Sequence, residues 1–310
     1  MKLEGIHHIT AITGDAPANV DFYVGVLGLR MVKKTVNQDD PTVYHLFYAD
    51  EQGSPGADLT FFEYPGARRG SAGAGMVHRV VWRVASEDAI RFWEQRLGDR
   101  GFETQRTDGG LRFADPEGLE HELVVYDGSD AALIADAPDI PAEHALQGFD
   151  GVRAYSPDPA RSAALLRETL GFKGGEDGSW EVRGDERGGR YAYDAPPPSR
   201  PIPGAGTIHH VAFASRIEEH DAWQERVTRA GARATPVIDR YYFRSIYFRE
   251  PSGVLFEIAT IGPGFGADED PAHLGERLSL PPKFERLRGE LERTLTPLPD
   301  PRAAVASRTR

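Results

Sequence analysis

Cysteine is absent from the 310 residues. That excludes disulfides, thiolate metal sites, cysteine-ligated iron–sulfur clusters and a cysteine nucleophile. A basic surplus is lacking too: 36 Lys and Arg stand against 48 Asp and Glu, a formal net charge of −12. No stripe of lysine and arginine suited to a phosphate backbone can be found, so nucleic acid is not an expected partner. No apolar run approaches the roughly 18 residues needed to cross a bilayer. The opening MKLEGIHH carries neither an apolar signal core nor a cleavage pattern. A cytoplasmic protein with no membrane partner is expected. The rest of the composition, 40% hydrophobic and 27% charged, is that of a globular protein long enough for two ordinary domains.

What is present is a repeat. Four short apolar strands begin at Ile6 (IHHITAIT), Val77 (VHRVVWRV), Phe149 (FDGVRAYS) and Ile208 (IHHVAFAS). Each is followed by an amphipathic stretch, and the exits carry Leu27-Gly28, Leu97-Gly98, Leu170-Gly171 and Gly231, where a helix C-cap is expected. Asp15 and Asp158 stand where N-capping or first-turn acids are favoured. DPEG at 115–118 and EPSG at 250–253 read as matching hairpin corners, each leading into a further apolar strand. The pattern predicts an α+β fold of four βαβββ modules, paired into two open, cupped, barrel-like sheets with helices outside. The modules are placed at 1–66, 75–128, 148–195 and 205–262, with a linker at 129–147. An arm, one amphipathic helix (Pro282–Thr294) and a frayed tail, PRAAVASRTR, are expected over 263–310.

Successive residues of a strand face opposite sides, so alternation sorts each His-His pair. His209, Val211 and Phe213 form a bulky face suited to the helix side. His210, Ala212 and Ala214 form a small-residue face that leaves room for a cavity. By the same register, His8 and Thr10 face the cavity in the first unit. On the closing strand, Glu257 lies opposite Val254, Phe256 and Ile258, and a carboxylate in so apolar a strand needs a partner. In the second unit the corresponding residues are Arg79 and Glu122, which predicts a salt bridge there. His8, His210 and Glu257 offer two imidazoles and a carboxylate, a donor set that suits a divalent first-row metal and leaves coordination positions open.

These residues are also where the chain resembles the vicinal-oxygen-chelate superfamily, and within it the hydroquinone-cleaving extradiol dioxygenases and their glyoxalase-like relatives. The opening GIHHITAITGDAPANVDFYVGVLGL is the most specific part, supported by IPAEHALQGFDGV, GTIHHVAFA, PSGVLFE and DEDPAHLGERLSLPP. The resemblance implies a cytoplasmic oxidoreductase of aromatic-compound degradation, acting on a small hydroxylated aromatic and O2. It implies Fe(II), with Mn, Zn or Ni as alternatives, on His8, His210 and Glu257, in a cleft shared by the first and fourth units. It places His209, Tyr247 and Arg240 in catalytic roles and His7 and Thr10 at the substrate. A homo-oligomer is also expected. Two other readings stay open: a glyoxalase-type metal-dependent lyase or isomerase, which would recruit a fourth ligand near Thr60, Phe62 or Glu63, and a metal-free small-molecule-binding protein.

Overall fold

The computed structural model describes residues 1–174 and 178–299. One eight-stranded sheet joins β1 (Ile6–Thr13), β2 (Arg30–Val36), β3 (Tyr44–Ala49) and β4 (Asp58–Glu63) to β13 (Ile208–Ser215), β14 (Ile238–Asp239), β15 (Arg244–Arg249) and β16 (Leu255–Thr260). Its strand order is β14-β15-β16-β13-β1-β4-β3-β2. The other sheet holds β5 (Val77–Val84), β6 (Thr104–Thr107), β7 (Gly110–Ala114), β8 (Glu120–Val125), β9 (Phe149–Tyr155), β10 (Lys173–Gly174), β11 (Ser179–Arg183) and β12 (Gly188–Asp194). They run in the order β10-β11-β12-β9-β5-β8-β7-β6. The first unit thus pairs with the fourth and the second with the third, through antiparallel contacts of their opening strands. The expected α+β class with two cupped sheets is the one the chain adopts.

The helical segments follow local chemistry, with two departures. Asp15 accepts from the Ala18 N–H at 3.0 Å, capping α1 (Ala16–Val20). The segment then widens into a π-helical turn, Asp21–Val26, in which Leu27 N–H reaches the Phe22 carbonyl at 2.9 Å. The third unit has a 3-10 turn, Pro159–Ser162, and a second π-helical turn, Leu165–Thr169, in place of a regular helix; Asp158 makes no side-chain cap there. Ser86 caps α2 (Glu87–Asp99), and α3 (His220–Arg229) serves the fourth unit. Gly28, Gly171 and Gly231 leave their segments with φ of 71°, 77° and 91°. Gly98, expected to do the same, lies inside α2, and Gly101 makes the left-handed exit with φ of 80°. Both hairpin corners close alike: Gly118 N–H bonds Asp115 at 3.0 Å and Gly253 N–H bonds Glu250 at 2.8 Å.

A large core, with Phe22, Tyr23, Trp82, Trp93, Phe213, Trp223 and Phe256, occupies the face of each sheet turned from its cup. A smaller cluster, including Val32, Phe47, Ala212, Tyr242, Phe243 and Phe265, fills one end of the first cup. The stretch 129–147 has no helix or strand but is well anchored: Ile140 and Leu146 are buried, and Asp130 accepts from Arg83 at 2.8 Å. Beyond Gly262 the arm folds back on β2, where buried Lys33 pairs with Asp268 at 2.7 Å and with Glu269. The predicted terminal helix divides into a 3-10 turn, Pro282–Leu287, and α4 (Arg288–Thr294). The expected tail, 301–310, lies outside the described residues. No helix among the described residues is long and apolar enough to cross a membrane.

Candidate metal centre and cavity

The site begins with two irregularities in one strand pair. β1 and β13 run antiparallel, with Ile6 opposite Phe213, Ile9 opposite Val211, Thr10 opposite His210 and Ala11 opposite Ile208. The register slips once at His7-His8 and once at His209-His210, so each His-His pair sits on a β-bulge. Strict alternation, which points neighbouring side chains to opposite faces, does not hold at these points. The extra residue re-aims the side chains and brings neighbouring rings together, Nδ1 to Nδ1, at 2.9 Å for His7–His8 and 2.8 Å for His209–His210.

From the bulges, His8 and His210 reach toward Glu257 on β16. His8 Nε2 lies 3.2 Å from His210 Nε2 and 3.3 Å from Glu257 Oε2, and His210 Nε2 lies 2.9 Å from that oxygen. All three side chains are buried. Two ligands each about 2.1 Å from one ion and at right angles lie about 3.0 Å apart, so this triangle has the size of one face of a coordination shell. Ser245 Oγ donates to the other oxygen, Oε1, at 2.5 Å, leaving Oε2 without a hydrogen-bond donor. Among the described residues this is the one group of three or more such side chains whose donor atoms converge.

Protonation favours ligand-competent forms. Burial pushes the Glu257 carboxyl upward, but the imidazoles of His8 and His210 outweigh it and hold the group well below the usual range. Burial also lowers His210, and it takes His7 down to about 3. Tautomers follow from the partners. His7 Nε2 lies 3.2 Å from the Thr260 carbonyl, which can only accept, so Nε2 carries the proton and Nδ1 accepts from His8 Nδ1–H. The lone pair of His8 is then on Nε2, facing Glu257.

Above the triad is a partly open cavity. His8, His210, Arg240 and Tyr247 line it, with Thr35, Asn37, Gln38, Asp39 and His45 and the rings of Phe47, Phe62, Tyr242 and Phe243. Tyr247 pairs across the ladder with Glu257. Its ring centroid is 5.7 Å from that of His210, and burial raises its phenol well above the usual value. Arg240 donates from Nε to Tyr247 Oη at 3.3 Å and from both terminal nitrogens to Asp39 at 2.9 Å.

Three other residues named from the sequence are not on this surface. His7 is behind His8, and its ring packs on Phe243 at 5.3 Å. Thr10 is fully buried and shares a hydrogen bond with Thr60 at 2.8 Å. His209 lines a neighbouring cavity beside Arg249, edge-on to Phe62. Glu63, weighed as a fourth ligand, instead accepts from Thr296 at 2.8 Å. His45 is the residue sequence reasoning passed over. It shares a face of β3 with Phe47 and Ala49, whereas Leu46 and Tyr48 enter the main core, so sorting that strand by face would have turned it toward the cavity.

In the other sheet, Arg79 occupies the place of His210. It donates to Glu122 at 3.2 Å and to Glu120 at 2.8 Å, the salt bridge anticipated from the sequence.

Paired βαβββ modules that hold buried histidines and a carboxylate at their junction define a class, and comparison agrees. The model of the Glyoxalase/Bleomycin resistance protein/Dioxygenase superfamily matches residues 5–123 and 148–258, and the chain belongs to that family. The "Putative ring-cleaving dioxygenase MhqO" of Bacillus subtilis (strain 168) is 40% identical, over 96% of this chain and 97% of its own length. The "Chlorohydroquinone/hydroquinone 1,2-dioxygenase" of Sphingobium indicum is 33% identical, over 95% and 96%. A crystal structure of a "putative dioxygenase" from Bacillus subtilis subsp. subtilis str. 168 superposes with a TM-score of 0.89 at 39% identity, covering 96% of this chain and 98% of that one.

Proposed function

We propose that this chain is a ring-cleaving dioxygenase acting on a hydroquinone or a related single-ring hydroxylated aromatic, with Fe(II) held by His8, His210 and Glu257. The observation that carries the reading is the buried triangle of His8 Nε2, His210 Nε2 and Glu257 Oε2, with edges of 2.9–3.3 Å, beneath a cavity that Arg240 and Tyr247 also line. The names of the relatives, ring-cleaving and hydroquinone dioxygenases, support the choice of chemistry.

Bound there, Fe(II) supplies the acidity that ionises a phenol and the electrons that activate dioxygen. Three protein ligands leave room for both reactants. The chain's own residues hold and orient. His7 and His209 act through His8 and His210 as orienting partners, each accepting the Nδ1–H of its neighbour so that Nε2 is presented for ligation. Thr10 acts at one further remove, through Thr60. Tyr247, kept protonated by burial and already accepting from Arg240, directs its own hydroxyl hydrogen toward oxygen on the cavity side. The positive charge of Arg240 also lines the cavity, where it favours ionisation of the substrate's hydroxyl. The bond between a hydroxyl-bearing ring carbon and its neighbour breaks and each of the two carbons gains one atom of O2, which opens the ring.

The test is oxygen consumption by protein loaded anaerobically with Fe(II) and supplied with hydroquinone. Wild type should consume one O2 per hydroquinone, and His210→Ala should lose both iron and turnover. Undiminished uptake by His210→Ala, or isomerisation of a thiol adduct without oxygen use, would remove the proposal.

A further inference from the structure

We propose that the cavity wall built by β3 and the segment joining it to β2 is a subsite for the second hydroxyl of the aromatic substrate, with Gln38 and His45 as its hydrogen-bonding groups. The inference rests on the ring-cleaving reading above and deepens it. The triad stands on β1, β13 and β16, and β3 is two strands from β1, about 9–10 Å across a sheet. A single ring with one oxygen at the triad would carry a hydroxyl on its far side toward that wall.

The polar inventory of the cavity narrows the choice. Arg240 already gives three of its five N–H donors to protein partners, one from each terminal nitrogen to Asp39 and one from Nε to Tyr247. Tyr247 is tied to the triad end by its ladder pairing with Glu257. Gln38 donates from Nε2 to the Arg240 carbonyl at 2.5 Å, and its Oε1 is buried with no hydrogen-bond partner. An acceptor left in that state is unusual and is satisfied by a ligand that donates. His45 offers the complementary group. Its Nε2 is engaged by Thr60 Oγ1 at 2.9 Å, which leaves Nδ1 as the ring nitrogen for a ligand. Phe47 and Phe62 hold the imidazole from either side, with ring centroids at 4.0 Å and 4.4 Å. Thr60 is in turn fixed by Thr10 at 2.8 Å, so the position of His45 is set from inside the sheet. Between them these two cavity-lining residues offer an acceptor for a hydroxyl hydrogen and a ring nitrogen for a hydroxyl oxygen.

The experiment measures binding without turnover. Full-length protein loaded with Fe(II) is titrated, in the absence of oxygen, with hydroquinone, with phenol and with 4-methoxyphenol. Wild type should bind hydroquinone at least about tenfold more tightly than either analogue, because a site built to pair a hydroxyl discriminates against its loss. His45→Phe and Gln38→Leu should each shrink that preference to about threefold or less, with iron content and phenol affinity unchanged. Thr60→Val should weaken the preference by freeing the imidazole, and Thr60→Ser should restore it. Equal binding of hydroquinone and phenol by wild type would overturn the subsite. So would variants that retain iron but lose affinity for both ligands alike. Failure of wild type to consume oxygen would instead count against the ring-cleaving reading, since the preference is measured without oxygen.

Discussion

His7 donates through Nε2 to the carbonyl oxygen of Thr260, 3.2 Å away and 253 residues along the chain. That bond sets which nitrogen of His8 bears a proton, although His7 does not touch the cavity. Replacing His7 with leucine removes the acceptor for His8 Nδ1–H and frees the ring to turn. The expected result is a metal affinity lower by about 10- to 100-fold, the usual cost of losing an orienting partner. Saturating Fe(II) should restore turnover. Titration of the apo-protein with Fe(II) under anaerobic conditions measures it, and an unchanged affinity would mean that packing alone holds His8.

At the mouth of the cavity, Asp39 meets Arg240 through two parallel hydrogen bonds of 2.9 Å, yet the Asp39 side chain is 73% exposed. Exposure limits what the pair is worth, since exposed ion pairs contribute about 0.2–1 kcal/mol. Asp39→Asn should therefore raise KM for the aromatic by about two- to fivefold and leave iron content and kcat unchanged. High salt should move wild type in the same direction, because screening weakens the same contact. A large fall in kcat would show that Asp39 does more than hold Arg240.

Much of this was readable from residues alone. Ile6, Val77, Phe149 and Ile208 begin their strands because apolar alternation there is strong and is repeated four times. Pairing of Arg79 with Glu122 followed from setting one repeat against another. The π-helical turns were not readable, since composition does not separate an i→i+5 bond from the ordinary helical one in a short amphipathic stretch. Alternation set His7 and His209 apart from the cavity but did not show that their rings meet those of His8 and His210, because a β-bulge is a property of the strand pair: β1 shows its extra residue only against β13. His45 escaped notice for a different reason. A lone histidine in a strand carries no motif, and only its alternation with the core residues Leu46 and Tyr48 turns it toward the cavity.

Arg79 and Glu122 provide a control in the other sheet. The side chains of Arg79 and Glu122 are 10% and 11% exposed. Removing one partner of a buried pair costs about 3–5 kcal/mol, because the other charge is stranded. Here Arg112 also donates to Glu122, at 3.3 Å, and Glu120 is half exposed, so part of that penalty is relieved. Arg79→Ala should destabilise the fold by about 2–3 kcal/mol in denaturant titration while leaving Fe(II) stoichiometry at one per chain. A loss of metal in this variant would show that the two sheets are coupled in a way their separate ladders do not suggest.

A buried chain of polar groups joins the π-helical turn of the first unit to the second sheet: Trp82 Nε1 donates to His121 Nδ1 at 3.1 Å, His121 Nε2 lies 3.0 Å from Tyr23 Oη, and Tyr23 donates to Asp115 at 2.9 Å. Burial shifts its imidazole and its carboxyl in opposite directions, His121 down to about 3 and Asp115 up to about 6. An unfolded Asp titrates near about 3.9, so the native state holds an extra proton on Asp115 between that pH and about 6. Stability from this group therefore grows as pH falls through the window, by about 1.4 kcal/mol per pH unit. His121 does the reverse. Its unfolded value is near about 6.5, the native state refuses the proton, and stability is lost at a similar slope as pH falls toward about 3. The two slopes oppose each other between about pH 6 and about pH 4. Asp115→Asn keeps an acceptor for the Glu117 and Leu119 N–H groups but removes the titration. Relative to wild type, the variant should lose about 1.4 kcal/mol per pH unit across that window and run parallel to it above. Urea unfolding of both proteins at a series of pH values measures the gap. If it stays constant from neutrality down to about pH 4, Asp115 titrates as an ordinary carboxyl and the opposition between the two groups does not exist.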